Sequence, residues 1–253
     1  MTKDRAGESY WNNVWGTKQA ITPIDIGYYT HRLFHELYQK YLPVDENLSV
    51  AEIGCALSAY LPYFHRYFGY QVHGFDYEAD AVEKTAAIYK AMGLKAHIRH
   101  RDFFSHAPAP AYDLLTSFGV FEHFEDLEGS IAHTKHYLKK RGMILTVIPN
   151  MNGLVGFLQK TFNRKVYDVH IPYTAEEIRD AHEKAGYHTL FCDYFGLYQA
   201  GVVNLEGVRH EAWLQKALAV PGKPFYHMNR VFGLRLDSKW TSPYIVYIGK
   251  LDA

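Results

Sequence analysis

The sequence predicts an α/β fold, a mostly parallel sheet with helices on both faces. Three observations point to it. Between residues 48 and 195, short apolar runs of strand length alternate with longer runs of helix length. One run, LSVAEIG, feeds directly into Gly54 and a following helix, a unit that presents free backbone N–H groups to a ligand. The next run ends in Asp76, about 20 residues on, the distance at which an acid meets ribose hydroxyls in nucleotide-binding sheets.

Taken in order, residues 1–22 carry Tyr10, Trp11 and Trp15 among polar neighbours and read as an irregular arm. Residues 24–41 place Ile26, Tyr29, Leu33, Phe34, Leu37, Tyr38 and Tyr41 at helical spacing, and Pro43 ends that helix. Strands are expected at 48–54, 70–76, 95–102, 112–118, 143–149, 187–195 and 242–251. Helices are expected at 58–69, stopped by Gly69, at 78–93, stopped by Gly93, and at 125–142, with acids early and basic residues late to suit the helix dipole. A further helix, 174–186, opens with a capping box of Thr174 and Glu177 and stops at Gly186. The Pro-rich APAP linker precedes the fourth strand, residues 150–173 read as irregular, and an insertion spans 196–240. The whole chain, 1–253, reads as one domain with an N-terminal arm and helix over 1–45.

Charge narrows the function classes. Lys and Arg number 27 and Asp and Glu number 27, so the basic surplus that drives phosphate binding is absent and nucleic acid is not the expected partner. No run approaches the roughly 20 apolar residues of a membrane span. The start, MTKDRAGESYW, lacks a signal-peptide core, and Cys55 and Cys192 match no metal motif, so a cytoplasmic location is expected. The chain holds 21 Tyr, 15 Phe, 4 Trp and 15 His, with many of the aromatics at the N-terminus and in 151–235. Aromatics placed there form either packing or the walls around a flat or cationic ligand.

In parallel sheets ligands bind beyond the C-terminal strand ends. Gly54 lets the backbone approach such a ligand closely. Asp76 can accept from both hydroxyls of a ribose, or cap the helix that follows it. Asp102 can accept from an adenine amino group and Phe103 can cover the base. Ser117, Phe118 and Gly119 end the fourth strand at the ligand. Glu122 and His123 follow, with His123 either a general base or a hydrogen-bonded histidine at a helix start.

AEIGC, GFD, RDFF and YDLLTSFGVFEHFED, followed by a basic helix and GMILTVIPN, resemble the successive motifs of class I S-adenosylmethionine-dependent methyltransferases. The resemblance covers residues 48–195 and the final SPYIVYIGK strand. It implies a Rossmann-like sheet of seven strands with the last antiparallel, here joined by an aromatic-rich cap. It implies that Gly54 and Cys55 approach the methionine part of S-adenosyl-L-methionine, that Asp76 holds the ribose and that Tyr77 packs on the adenine. Asp102 and Phe103 would meet the adenine edge and face, Ser117, Phe118 and Gly119 would flank the methyl donor, and Tyr10 and Trp11 resemble an arm that closes over the cofactor. Two departures stand out. The glycine-rich loop has Ala56 and Ser58 where glycine is usual, with Ser58 placed to hydrogen-bond the carboxylate. Some members bind a divalent metal through acids beside the "EH" pair, and Gly119 takes the position of one such acid, so no metal is expected.

Methyl transfer needs alignment, and a base only where the acceptor arrives protonated. His170, in YDVHIPYT, is the leading base, followed by His123 and Tyr173. The acceptor pocket is expected from the arm, 150–173 and 196–240, with Arg209, Arg230 or Arg235 available for an acidic group. That suits a small aromatic or heterocyclic acceptor with an oxygen, nitrogen or carbon nucleophile. A homo-oligomer is compatible with the sequence. Two other readings share parts of the pattern: an NAD-dependent oxidoreductase, disfavoured by the missing glycines and the late last strand, and a degenerate methyltransferase fold serving as a ligand-binding or partner module.

Overall fold

The structure is a computed structural model, and it describes residues 4–7, 10–11, 20–104, 112–220 and 237–252. Seven strands form one sheet: β1 (Ser49–Ile53), β2 (Gln71–Asp76), β3 (Ala96–His100), β4 (Tyr112–Phe118), β5 (Leu138–Pro149), β6 (Tyr187–Phe195) and β7 (Tyr244–Leu251), in the order β3-β2-β1-β4-β5-β7-β6. The first five are parallel, and β7 runs antiparallel between β5 and β6. The strand order reverses between β1 and β4, which opens a crevice at their C-terminal ends.

The strands are apolar on both faces because both are covered. In β5, Ile144 and Ile148 face one core while Leu145 and Val147 face the other. In β7 the same alternation splits Ile245 and Tyr247 from Val246 and Ile248. One core takes the helices α4 (Leu127–His133) and α7 (Ala175–Lys184), through Ile131 and Ile178. The other takes α1 (Tyr29–Tyr41), α2 (Tyr60–Phe68) and α3 (Ala79–Ala91), through Tyr38, Phe64, Phe68 and Tyr89. Each such aromatic buried from water contributes about 1.5–3 kcal/mol. Gly69 closes α2 with φ +79°, and the Thr174–Glu177 capping box opens α7.

Four expectations need correction. The first helix starts at Tyr29, because Asp25 accepts from the Gly27 amide at 2.8 Å and turns the chain just before it. The helix expected over 125–142 stops at His133, and after a 3-10 turn over Thr134–Tyr137 the chain is already strand. Leu138 pairs with Tyr112 while Met143 pairs with Leu114, so residues 139–142 bulge out, with Arg141 at φ +63°. The basic residues do not serve a helix dipole; Lys139 bonds Asp113 at 2.8 Å. Residues 150–173 contain two helices, α5 (Leu154–Phe162) and α6 (Arg164–Asp168), and the 196–240 insertion contains α8 (Glu211–Ala219). These pieces pack on each other: Val155 joins Val203 and Leu205 in a third cluster, and the buried Gln159 side chain accepts from the Asn204 amide at 2.8 Å. The APAP linker and PFYHMNRVFG, with His227, Arg230 and Arg235, lie outside the described residues.

Candidate active site

The crevice holds a cavity of about 610 Å³. Its floor is the loop after β1. Gly54 sits at φ +69°, and a Cβ there would meet Val120 Cγ2 at 2.9 Å, so glycine serves both the turn and the close approach. The Ala56 amide donates to Asp76 Oδ2 at 3.1 Å and the Glu78 amide donates to Oδ1 at 3.0 Å. Asp76 thus stands at the wall, already oriented, where two loops meet. Burial pushes its carboxyl up while the Glu78 and Ala56 amides pull it back.

The irregular loop has its own logic. Leu57 takes φ +49°, held by an amide bond to Thr85 Oγ1 at 2.8 Å. Ser58 Oγ donates to Glu52 Oε2 at 2.7 Å, so its hydroxyl is engaged by a protein carboxyl. Glu52 was not singled out in the sequence, although an acid inside the apolar strand LSVAEIG is a readable signal. It lines the cavity, and burial pushes its carboxyl up to about 8. Tyr60 lines the same wall and stacks on Phe118, ring centroids 3.5 Å apart and nearly parallel.

The arm lies across this cavity. Asp4 Oδ2 accepts from Tyr77 Oη at 2.9 Å and from Trp11 Nε1 at 3.0 Å, while Oδ1 accepts from the Ala6 amide at 2.8 Å. The Arg5 amide donates to the His123 carbonyl at 3.0 Å. Asp4 is a further residue that the sequence reading passed over, since nothing in MTKDRAG distinguishes it.

Of the expected cofactor residues, Trp11, Gly54, Ala56, Ser58, Asp76, Tyr77, Asp102, Phe103, Phe118 and Gly119 line the cavity. Tyr10, Cys55 and Ser117 do not. The Cys55 side chain is turned into the core, where it occupies the space a Cβ at Gly74 would need. Ser117 Oγ is buried with no hydrogen-bond partner among the described residues. Phe103 packs deep beside Phe75 and Tyr137, leaving Phe104 as a second aromatic at the wall.

His123 also lines the cavity, in a 3-10 turn over Phe121–His123. His170 does not line the cavity but packs against it, ring centroids 4.6 Å apart. Burial drives both imidazoles below their ordinary value, so both are neutral at pH 7. Tyr173 is pinned elsewhere, its hydroxyl donating to the Phe124 carbonyl at 2.7 Å. Arg209 and His188 are exposed. Glu122, His123 and His170 bring one ligand atom each within 4.8 Å of one another, the grouping among the described residues that could hold a metal.

A family model for the methyltransferase domain matches residues 26–190. The chain belongs to the class I methyltransferases. The methyltransferase shares its fold with an S-adenosylmethionine-dependent methyltransferase from Archaeoglobus fulgidus, at 16% identity over 87% of this chain and 93% of that one, TM-score 0.55. It also resembles the geranyl diphosphate C-methyltransferase of Streptomyces coelicolor, solved with Mg²⁺, geranyl diphosphate and S-adenosylhomocysteine, at 14% identity over 94% and 95% of the chains, TM-score 0.57. The [4+2]-cyclase SpnF is similar to the same degree, at 14% identity over 99% and 93%, TM-score 0.60. No curated protein sequence matches the methyltransferase. Its methyl donor is S-adenosylmethionine. The wall residues fit that donor: Gly54 leaves room that a Cβ would fill, and Asp76 offers a fixed carboxylate beside it. Among the described residues no helix is long and apolar enough to cross a membrane.

Proposed function

We propose that the enzyme methylates an oxygen, nitrogen or carbon nucleophile of a small, aromatic or heterocyclic acceptor. The observation that carries this reading is one aromatic-walled cavity reaching from Gly54 and Asp76 to His123. S-adenosylmethionine supplies an electrophilic methyl group on a sulfonium. In the displacement the methyl–sulfur bond breaks with its electron pair left on sulfur, and the acceptor's lone pair forms the new bond.

The chain's residues align and shield that exchange. Asp76 holds the ribose hydroxyls, Tyr77 and Phe104 cover the adenine, and Asp102 meets its edge. The Tyr60–Phe118 stack walls the site with aromatic surface that suits a cationic donor. Ser58 and Glu52 together face the methionine end. On the acceptor side stands the neutral imidazole of His123, which engages an acceptor hydroxyl or amine and eases loss of its proton, with His170 packed behind it. No described residue of 150–173 or 196–240 lines the cavity; His170 reaches it only through its ring contact with His123.

Calorimetry with S-adenosylmethionine and with NAD tests the reading. Binding of the sulfonium alone, with methyl transfer to members of an aromatic acceptor panel, is expected. NAD binding would replace this reading with an oxidoreductase. Sulfonium binding without turnover across the panel would turn it into a ligand-binding module.

A further inference from the structure

The sequence leads one to expect no metal, because Gly119 stands in place of an acid. The folded chain supplies a different third donor, from another loop. We propose that Glu122, His123 and His170 form a site for one divalent transition-metal ion at the acceptor end of the cavity.

Hydrogen bonding fixes which nitrogens are available. His123 Nδ1 lies 2.9 Å from the Val169 carbonyl oxygen, and His170 Nδ1 lies 2.6 Å from the Val166 carbonyl oxygen. A carbonyl can only accept, so each Nδ1 carries the hydrogen and donates. Each Nε2 is thereby left with its lone pair. This is the arrangement that orients metal-binding histidines, in which the far nitrogen is tied to a carbonyl and the near one is free to ligate.

Glu122 supplies the second observation. Its side chain is 1% exposed, yet Oε2 has no hydrogen-bond partner among the described residues. A carboxyl buried this way costs several kcal/mol unless something pairs with it. The other oxygen, Oε1, lies 4.0 Å from His123 Nε2. Two such donors can bridge through an ion that bonds each at about 2.0–2.2 Å. The three ligand atoms already lie within 4.8 Å, so a contraction of under about 1 Å closes the site around an ion.

The donor set selects the ion. Two imidazoles and one carboxylate suit Zn²⁺, Co²⁺ or Fe²⁺, whereas Mg²⁺ and Ca²⁺ prefer oxygen ligands throughout. Three protein ligands leave at least one position open, the arrangement of sites that bind a substrate directly. His123 lines the cavity, so the open position faces the acceptor and would take an acceptor oxygen or nitrogen. Trp11, edge-on to His123 at 5.1 Å, screens the site from water.

The site does not depend on the methyl-donor reading, and its test keeps the two apart. The full chain is stripped with a chelator and titrated with Co²⁺ alone, read by visible absorption. One equivalent is expected to saturate the signal, and Zn²⁺ should displace it. Glu122→Gln and His170→Ala should each weaken Co²⁺ at least about 100-fold, the upper end of what changes behind a metal ligand already cost. Cooperative melting and calorimetric affinity for S-adenosylhomocysteine should stay within about twofold, which excludes misfolding as the cause. His188→Ala, an exposed histidine elsewhere, should leave Co²⁺ binding intact. Absence of stoichiometric Co²⁺ binding would overturn the proposal and leave His123 alone facing the acceptor. Co²⁺ binding that survives both Glu122→Gln and His170→Ala would overturn it equally.

Discussion

Asp76 is held by two backbone amides from two loops, so its carboxylate is in position before any ligand arrives. In the proposed ribose role, removing it deletes two charge-assisted hydrogen bonds and frees the Ala56 amide. At about 1.5–3 kcal/mol per bond to a charged group, Asp76→Ala should weaken S-adenosylmethionine at least about 100-fold. Calorimetry reads this, and a change under tenfold would remove Asp76 from the ribose site. Its place in the cavity wall was legible because the acid, the strand end and the Gly54 loop are fixed together by one strand–helix–strand unit. Glu52 was legible as an acid out of place in an apolar strand, but its partner, Ser58, was not. His182 shows a second residue effect. It is fully buried, stacked on Tyr247 at 3.7 Å, and burial drives its imidazole down to about 3 from 6.5. Above pH 6.5 both folded and unfolded states carry it neutral, and its contribution to stability is complete. Below that the unfolded chain takes a proton that the folded one refuses, so stability falls by about 1.4 kcal/mol per pH unit until pH nears 3. Melting temperature followed from pH 7 to pH 5 should drop less steeply in His182→Gln than in the wild type, and equal slopes would refute the assignment.

Among elements, the arm departs most from its sequence appearance. Its aromatics drew attention, yet Asp4 fastens it, tying Tyr77 and Trp11 to one carboxylate. Asp4→Asn keeps the shape but loses the charge that both donors share. We expect affinity for S-adenosylhomocysteine to fall about tenfold, at the 1.5–3 kcal/mol scale of a hydrogen bond to a charged group. Stopped-flow release should be faster, and unchanged release would show that the arm does not bear on the ligand. Helices and strands with a single clear period were legible to within a few residues, as in β4 and β6. The misread stretch, 125–142, has acids early and basic residues late, a pattern that suits a helix. Pairing of Leu138 with Tyr112 and burial of Tyr137 outweigh that local preference, and neither partner is visible from within the segment.

At the scale of the molecule, the loops at the C-terminal strand ends wall the cavity together with the arm residues Asp4, Gly7 and Trp11, and no described residue of 150–173 or 196–240 joins them. The loops expected to meet the donor follow successive strands, so their meeting at one cavity could be read from sequence order. The acceptor end joins His123 after β4 to His170 beyond α6, and only the folded chain brings them within 4.6 Å. The arm has a kinetic consequence. Asp4 holds Tyr77 while its neighbour Arg5 bonds the His123 carbonyl. Residues that tie the Tyr77 loop to the His123 turn link the proposed nucleotide side to the proposed acceptor side, so the nucleotide is expected to load before the acceptor. Turnover should therefore follow a compulsory order, with S-adenosylmethionine first on and S-adenosylhomocysteine last off. Product inhibition by S-adenosylhomocysteine should be competitive against the donor and noncompetitive against the acceptor, and Asp4→Asn should relax the order toward random entry.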